Sequence, residues 1–284
     1  MSPLTALVAL HAAVALFGLA GLFGRILELS PLVIVLGRAL VACVALGIAA
    51  VVRRERLGRL DSALMLNGAI LGLHWVTFFL AIQVSSVAIG LLGYAGFPLF
   101  ALLLERRGRL REASGSEWAT VLLVAAGFAL LVQHPSWTDE TVQGLALGAV
   151  SGLTFAWLAV RNRRLLATHS ALGLAFWQNG WAATWLVVAT VPIAGTLAPP
   201  TLEEIAALIT LGALCTALAH TMFIASLRQL SAHTASVIAA LEPVYGIAFA
   251  ALLLNEVPGT RAIGAAALLL GAAVLASGRA SMAR

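Results

Sequence analysis

The chain has 284 residues, of which 61% are hydrophobic and only 10% charged, and its mean hydropathy is +1.01. Soluble domains carry about 25% charged residues, so this composition excludes an ordinary soluble protein and predicts an integral membrane protein. All 17 basic residues are arginine; the absence of lysine excludes a Walker A phosphate-binding lysine and a Schiff-base lysine, and so speaks against an ATP-driven pump.

A spanning helix needs about 20 mostly apolar residues. Taken in chain order, ten segments qualify: 4–24, 31–52, 62–83, 86–104, 118–133, 143–160, 172–194, 205–227, 232–254 and 259–277. The first lacks the basic flank and cleavage site of a signal peptide and is read as a helix. Cys43 and Cys215 both fall in apolar runs, where a free cysteine behaves as a small hydrophobe, and no disulfide is expected. The pI of about 10.5 is read as a topology signal, not as a sign of a nucleic-acid partner. With the N-terminus cytoplasmic, fourteen arginines fall in inner loops, against Arg25 and Arg261 in outer ones. That positive-inside bias predicts both termini in the cytoplasm and the lipid bilayer as a partner.

The chain repeats itself. "FGLAGLFGR" runs from Phe17 to Arg25 and "FAWLAVRNR" from Phe155 to Arg163. Ser86 precedes Pro98 by twelve residues, as Ser231 precedes Pro243. The join is the arginine-free stretch 134–142, a predicted periplasmic connector between repeats 1–133 and 143–284. Five helices per repeat is an odd number, so the second copy enters the membrane from the opposite side. The predicted fold is therefore an all-α membrane protein of ten transmembrane helices in two inverted-topology five-helix repeats. Many secondary transporters use this architecture for alternating access.

Charged groups deep in the bilayer cost roughly 2.5–3.5 kcal/mol at the centre of a span, so polar residues there tend to face a cavity or a partner. The candidates are His11, Arg38, Asn67, His74, Gln178, His220 and Glu242. Glu242 lies about 15 Å into its segment at 1.5 Å per residue. Pro243 cannot donate to the carbonyl of Ala239, and irregular backbone at depth is tolerated only inside protein or beside a wet cavity. Two readings stand: a negative patch facing a transport path, or a neutral Glu242 bonded to a neighbouring helix. Pro98 does the same for the carbonyl of Tyr94, with Phe97 in place of the acid. His74 and Phe78 share a helical face beside Trp75; in a cavity these rings would stack on a flat substrate, and elsewhere they would pack. Trp157 is a similar case. The stripe Trp177, Trp181, Trp185 reads as packing more readily than as a platform, and Arg38 as a structural anchor.

The "SP" and "GR" of the second segment (Ser30, Pro31, Gly37, Arg38) and "ALEPVYGIAFAALLLNE" (Ala240–Glu256) resemble the EamA-type members of the drug/metabolite transporter superfamily. The first copy departs by lacking a glutamate before Pro98. "LFGLAGLFGR" and the aromatic helices look most like the aromatic amino acid exporter branch. The resemblance implies a central cavity between the halves, lined by the first, third, fourth, sixth, eighth and ninth helices, with the second and seventh more peripheral. Its expected substrate-binding residues are His74, Trp75, Phe78, Tyr94, Trp157, His220, Glu242 and Tyr245, with Pro98 and Pro243 as hinges.

The expected function is export of amino acids, including aromatic ones, and of organic cations across a bacterial inner membrane. Aromatic rings would receive the apolar part of the substrate and Glu242 its ammonium. Proton exchange and facilitated diffusion are both compatible with these residues. Rival readings are a nucleotide-sugar or organic-phosphate carrier, a channel, and an intramembrane enzyme. No catalytic motif, metal site or cofactor is expected; Ser151 in "GAVSG" is out of register for a nucleophile elbow.

Overall fold

The computed structural model describes residues 2–58, 62–105, 115–132, 136–230, 235 and 238–277, and it is 84% helical with no strand among them. The helices are α1 (Pro3–Ile26), α2 (Pro31–Arg53), α3 (Ser62–Val84), α4 (Val87–Tyr94), α5 (Phe97–Glu105), α6 (Gly115–Leu131), α7 (Glu140–Leu165), α8 (Ala171–Thr190), α9 (Leu202–Ser226), α10 (Glu242–Leu253) and α11 (Thr260–Ser277). Five of them, α1, α2, α3, α7 and α9, are long and apolar enough to cross a membrane. Large apolar side chains such as Val8, Val44, Ile48, Leu122, Val188 and Leu252 are exposed on the outside. On a water-soluble protein that would be a broad sticky surface; on a multi-pass membrane protein it is the lipid-facing one.

Local chemistry sets the starts. The hydroxyls of Ser30 and Ser170 accept the N–H of Val33 and Gly173 at 3.4 and 3.0 Å, and Ser86 accepts that of Ile89 at 3.1 Å. Each relieves one of the four unpaired N–H groups at a helix N-terminus. Pro31 follows its cap, where the missing N–H costs nothing.

The predicted fourth segment, 86–104, is not one helix. It breaks at Ala95 and Gly96 into α4 and α5, and Pro98 stands in the first turn of α5. The chain turns likewise at Ala240 and Leu241, and Pro243 stands in the first turn of α10. Both prolines thus begin a new helix instead of kinking a continuous one, because proline is tolerated in a first turn and not in a helix interior. Glu242 becomes the first residue of α10, at an end whose peptide dipoles complement a carboxylate. Most of the earlier part of that segment, and Ser231, lies outside the described residues.

Packing joins distant parts of the chain. Helix α1 lies on α9 and α10; α3 lies on α7 and α8; α2 on α8 and α9; α4 on α7 and α10; and α6 pairs with α11. Without a hydrophobic drive between helices in lipid, close backbone approach by small residues is the main source of cohesion. A Cβ on Gly18 would sit 2.8 Å from the backbone nitrogen of Gly246, and one on Gly148 2.8 Å from the carbonyl oxygen of Gly90.

Polar residues tie α3, α7 and α8 together away from the centre. Asn67 donates to Asn162 at 3.2 Å, Arg161 donates to Asn67 at 2.9 Å, and Asn162 and Gln178 bond to each other. Trp177 and Trp185 donate to the carbonyls of Leu57 and Met65 at 3.0 and 3.2 Å. Two members of the tryptophan stripe therefore anchor α8 to the loop before α3 and to α3 itself. His11 is exposed on α1.

Candidate functional site

Seven helices meet around a central cavity. It is lined by Phe17 and Ala20 of α1, Arg38 of α2, Leu71, His74, Trp75 and Phe78 of α3, Tyr94 of α4, Phe155 of α7, His220 of α9 and Glu242 of α10. The α3 contributors fall at i, i+3, i+4 and i+7, one face of a helix. The free space has a volume of about 20 Å³ for a water-sized sphere, room for roughly one water. This conformation is closed around its centre.

The walls are aromatic. The His74 ring stacks on Phe155, with centroids 4.9 Å apart, and Phe155 touches Phe223 at 5.0 Å and Phe17, edge on, at 6.2 Å. Tyr94 lies 5.9 Å from His74 and 6.0 Å from Phe78, and Trp75 meets His220 edge on at 6.0 Å. Nδ1 of His74 is held by the Oγ and the backbone carbonyl of Ser151 at 2.8 and 2.9 Å. Nδ1 of His220 is buried and has no hydrogen-bond partner among the described residues.

Two ionisable side chains of opposite type line this space. Arg38 and Glu242 are 2% and 4% exposed. The Arg38 guanidinium carbon lies 4.2 Å from the centre of the Trp75 ring, a cation–π distance. Its Nε donates to Thr216 Oγ1 at 2.9 Å and one terminal nitrogen reaches the Cys215 carbonyl at 3.5 Å. Both partners lie in a π-helical stretch of α9, Ala213–Leu218, where the wider turn carries the Thr216 hydroxyl back to the Leu211 carbonyl at 2.8 Å. Such π-turns recur at functional sites. Tyr94 and Glu242 line the same cavity.

Of the eight residues expected to bind substrate, the structure brings six to the cavity: His74, Trp75, Phe78, Tyr94, His220 and Glu242. Trp157 stands apart, under the Arg161 guanidinium at 4.6 Å. Tyr245 packs at the α1–α10 contact, its Cβ 2.9 Å from where a Gly18 Cβ would stand. Pro98 and Pro243 are not among the lining residues; they stand in the first turns of α5 and α10. Arg38, expected as a structural anchor on a peripheral helix, lines the cavity as well. Although α2 contributes no other residue to the lining, its long arginine side chain reaches the cavity. Phe17 and Phe155, not among the residues expected from sequence, also line it; they open the two similar stretches 17–25 and 155–163.

The profile of the EamA-like transporter family matches residues 142–278, from α7 to α11. No curated protein matches the chain. One solved crystal structure is similar at 17% identity with a TM-score of 0.72, covering 99% of this chain and 99% of its own, a likeness of fold. The chain is thus a multi-pass membrane protein whose second half is similar to the EamA-like transporter family.

Proposed function

We propose that the chain is a secondary transporter that exports amino acids, aromatic ones included, and organic cations across a bacterial inner membrane by alternating access. In this reading ten spans form two inverted repeats, 1–133 and 143–284, joined by the periplasmic connector 134–142, with both termini cytoplasmic. The observation that carries it is a buried aromatic chamber holding an acid and a base between the two halves. Rings suit the apolar part of the substrate, and Glu242 suits its ammonium.

The helix contacts support the inverted arrangement. Exchange α1 with α7, α2 with α8, α3 with α9, α4 and α5 with α10, and α6 with α11. The pair α1–α10 then becomes α7–α4, α1–α9 becomes α7–α3, and α2–α9 becomes α8–α3. The pairs α2–α8, α4–α10 and α6–α11 map onto themselves. A chamber with room for about one water supports a carrier over a channel, since any larger solute passes only if the helices part. An organic phosphate would meet one arginine and be repelled by Glu242.

The test is a panel of proteoliposomes preloaded with an amino acid, an aromatic amine or an organic phosphate. Saturable, counterflow-sensitive flux of the amino acid is expected. Flux that never saturates would point to a channel, and flux of the phosphate alone would sink the amino acid assignment.

One contact stands where an outer gate would close. Glu256 Oε1 accepts the Val87 N–H at the start of α4 at 3.0 Å, and its Oε2 lies 4.0 Å from Nε of Arg25 in the last turn of α1. Solvent-exposed ion pairs contribute about 0.2–1 kcal/mol, so Glu256→Gln is expected to raise the outward-open population up to about fivefold. The readout is labelling of Ala20→Cys by an impermeant maleimide from outside, in a Cys43→Ser, Cys215→Ser background. An unchanged rate would remove this contact from the gate.

A further inference from the structure

Resting on the transport reading above, we propose that Arg38 receives the substrate's carboxylate while Glu242 takes its ammonium. The chamber would then be a receptor for the α-amino acid zwitterion, and single-charge amines and acids would be poorer ligands.

The argument begins with what the two charges lack. No ion pair joins Arg38 to Glu242 among the described residues. Both are buried and both line the same space. A buried ionisable group without a counter-charge in contact is costly to charge, and two of opposite type lining one cavity suit a molecule that brings both complementary charges. An α-amino acid has that composition, with both charges on one carbon and the side chain left for the rings.

Arg38 also keeps donors in reserve. A guanidinium has five N–H groups, and only two find partners among the described residues, the Thr216 hydroxyl and the Cys215 carbonyl. Those two bonds and the Trp75 ring hold the group in place. The remaining donors form the fork that pairs with a carboxylate in two parallel bonds. His220 Nδ1, buried and unpartnered at the same cavity, offers a further polar contact.

The matching position in the other half sharpens the point. Ser30 caps α2 and Ser170 caps α8, and Arg38 and Gln178 each stand eight residues beyond their cap. Gln178 is engaged by Asn162 in the network with Asn67, away from the cavity. A neutral amide suffices where the role is to hold helices together. At the equivalent site that faces the chamber the chain carries an always-charged, forked donor.

The experiment compares three phenyl compounds on the purified full chain: L-phenylalanine, phenethylamine (no carboxylate) and 3-phenylpropionate (no ammonium). Thermal shifts report binding, since a ligand of the folded state raises the melting temperature, and competition with phenylalanine counterflow reports transport. The wild type is expected to prefer phenylalanine at least about tenfold over either analogue. Arg38→Gln is expected to erase the preference over phenethylamine while phenethylamine still binds. Arg38→Lys, which keeps the charge and loses the fork, is expected to fall between and decides the matter if the glutamine variant does not fold. The full wild-type preference in either folded variant overturns the proposal and leaves the transport reading standing, as does equal loss of phenylalanine and phenethylamine. A wild type that carries no amino acid at all overturns both.

Discussion

Glu242→Gln is expected to lower binding and flux of every ammonium-bearing substrate by about 10- to 100-fold, while leaving the melting temperature nearly unchanged. A hydrogen bond to a charged group contributes about 1.5–3 kcal/mol, and each 1.4 kcal/mol is a factor of ten. The substitution keeps the side chain's volume and a hydrogen-bonding head, so the first turn of α10 and its packing on α1 have no reason to change. What disappears is the negative charge at the chamber. The pattern across ligands separates this residue from Arg38: the glutamine variant loses phenethylamine and phenylalanine together and is indifferent to 3-phenylpropionate. Concentration dependence of counterflow, with melting curves of the detergent-solubilised protein, checks it. Undiminished flux in a folded Glu242→Gln protein would mean that the carboxyl serves packing alone.

Gly148→Ala is expected to destabilise the protein by about 1–3 kcal/mol, the range for overfilling a packed contact. The added methyl would stand 2.8 Å from the Gly90 carbonyl oxygen, 2.8 Å from Gly93 Cα and 3.0 Å from its carbonyl carbon. All three are backbone atoms, so no side chain can swing away; the helices themselves must separate. They are α4 and α7, which carry Tyr94 and Phe155 into the chamber, so flux should fall along with stability. Gly72→Ala is the control: its methyl would meet nothing closer than 3.9 Å, and its melting curve should overlay that of the wild type. Equal melting of both variants would mean that α4 and α7 do not meet at these glycines.

How much of this was legible in advance differs between the helices and the site. The membrane assignment and the places of the helices were open to reading because hydropathy, capping serines and prolines act over a few neighbouring residues. The start of α2 at Pro31 and of α3 at Ser62 follow directly. The same local logic failed at Pro98 and Pro243, where an apolar run continues across a break in the backbone; hydropathy measures solvent preference and is blind to hydrogen-bond geometry.

The chamber was legible only in part. His74, Trp75 and Phe78 share one turn of one helix, so their grouping needed no partner to be seen. Arg38 could not be placed, because its position depends on a π-turn in α9 more than 170 residues away, and a span's rank in the bundle does not say how far a long side chain reaches. Trp157 likewise could not be placed from sequence: its ring lies under Arg161, one turn on along the same helix, and not at the cavity wall. Composition and short-range pattern thus determined that this chain lives in lipid and where its helices begin. Which of its polar groups face one another was decided by packing alone, since in a medium without water each buried charge or amide settles only where another part of the fold presents its complement.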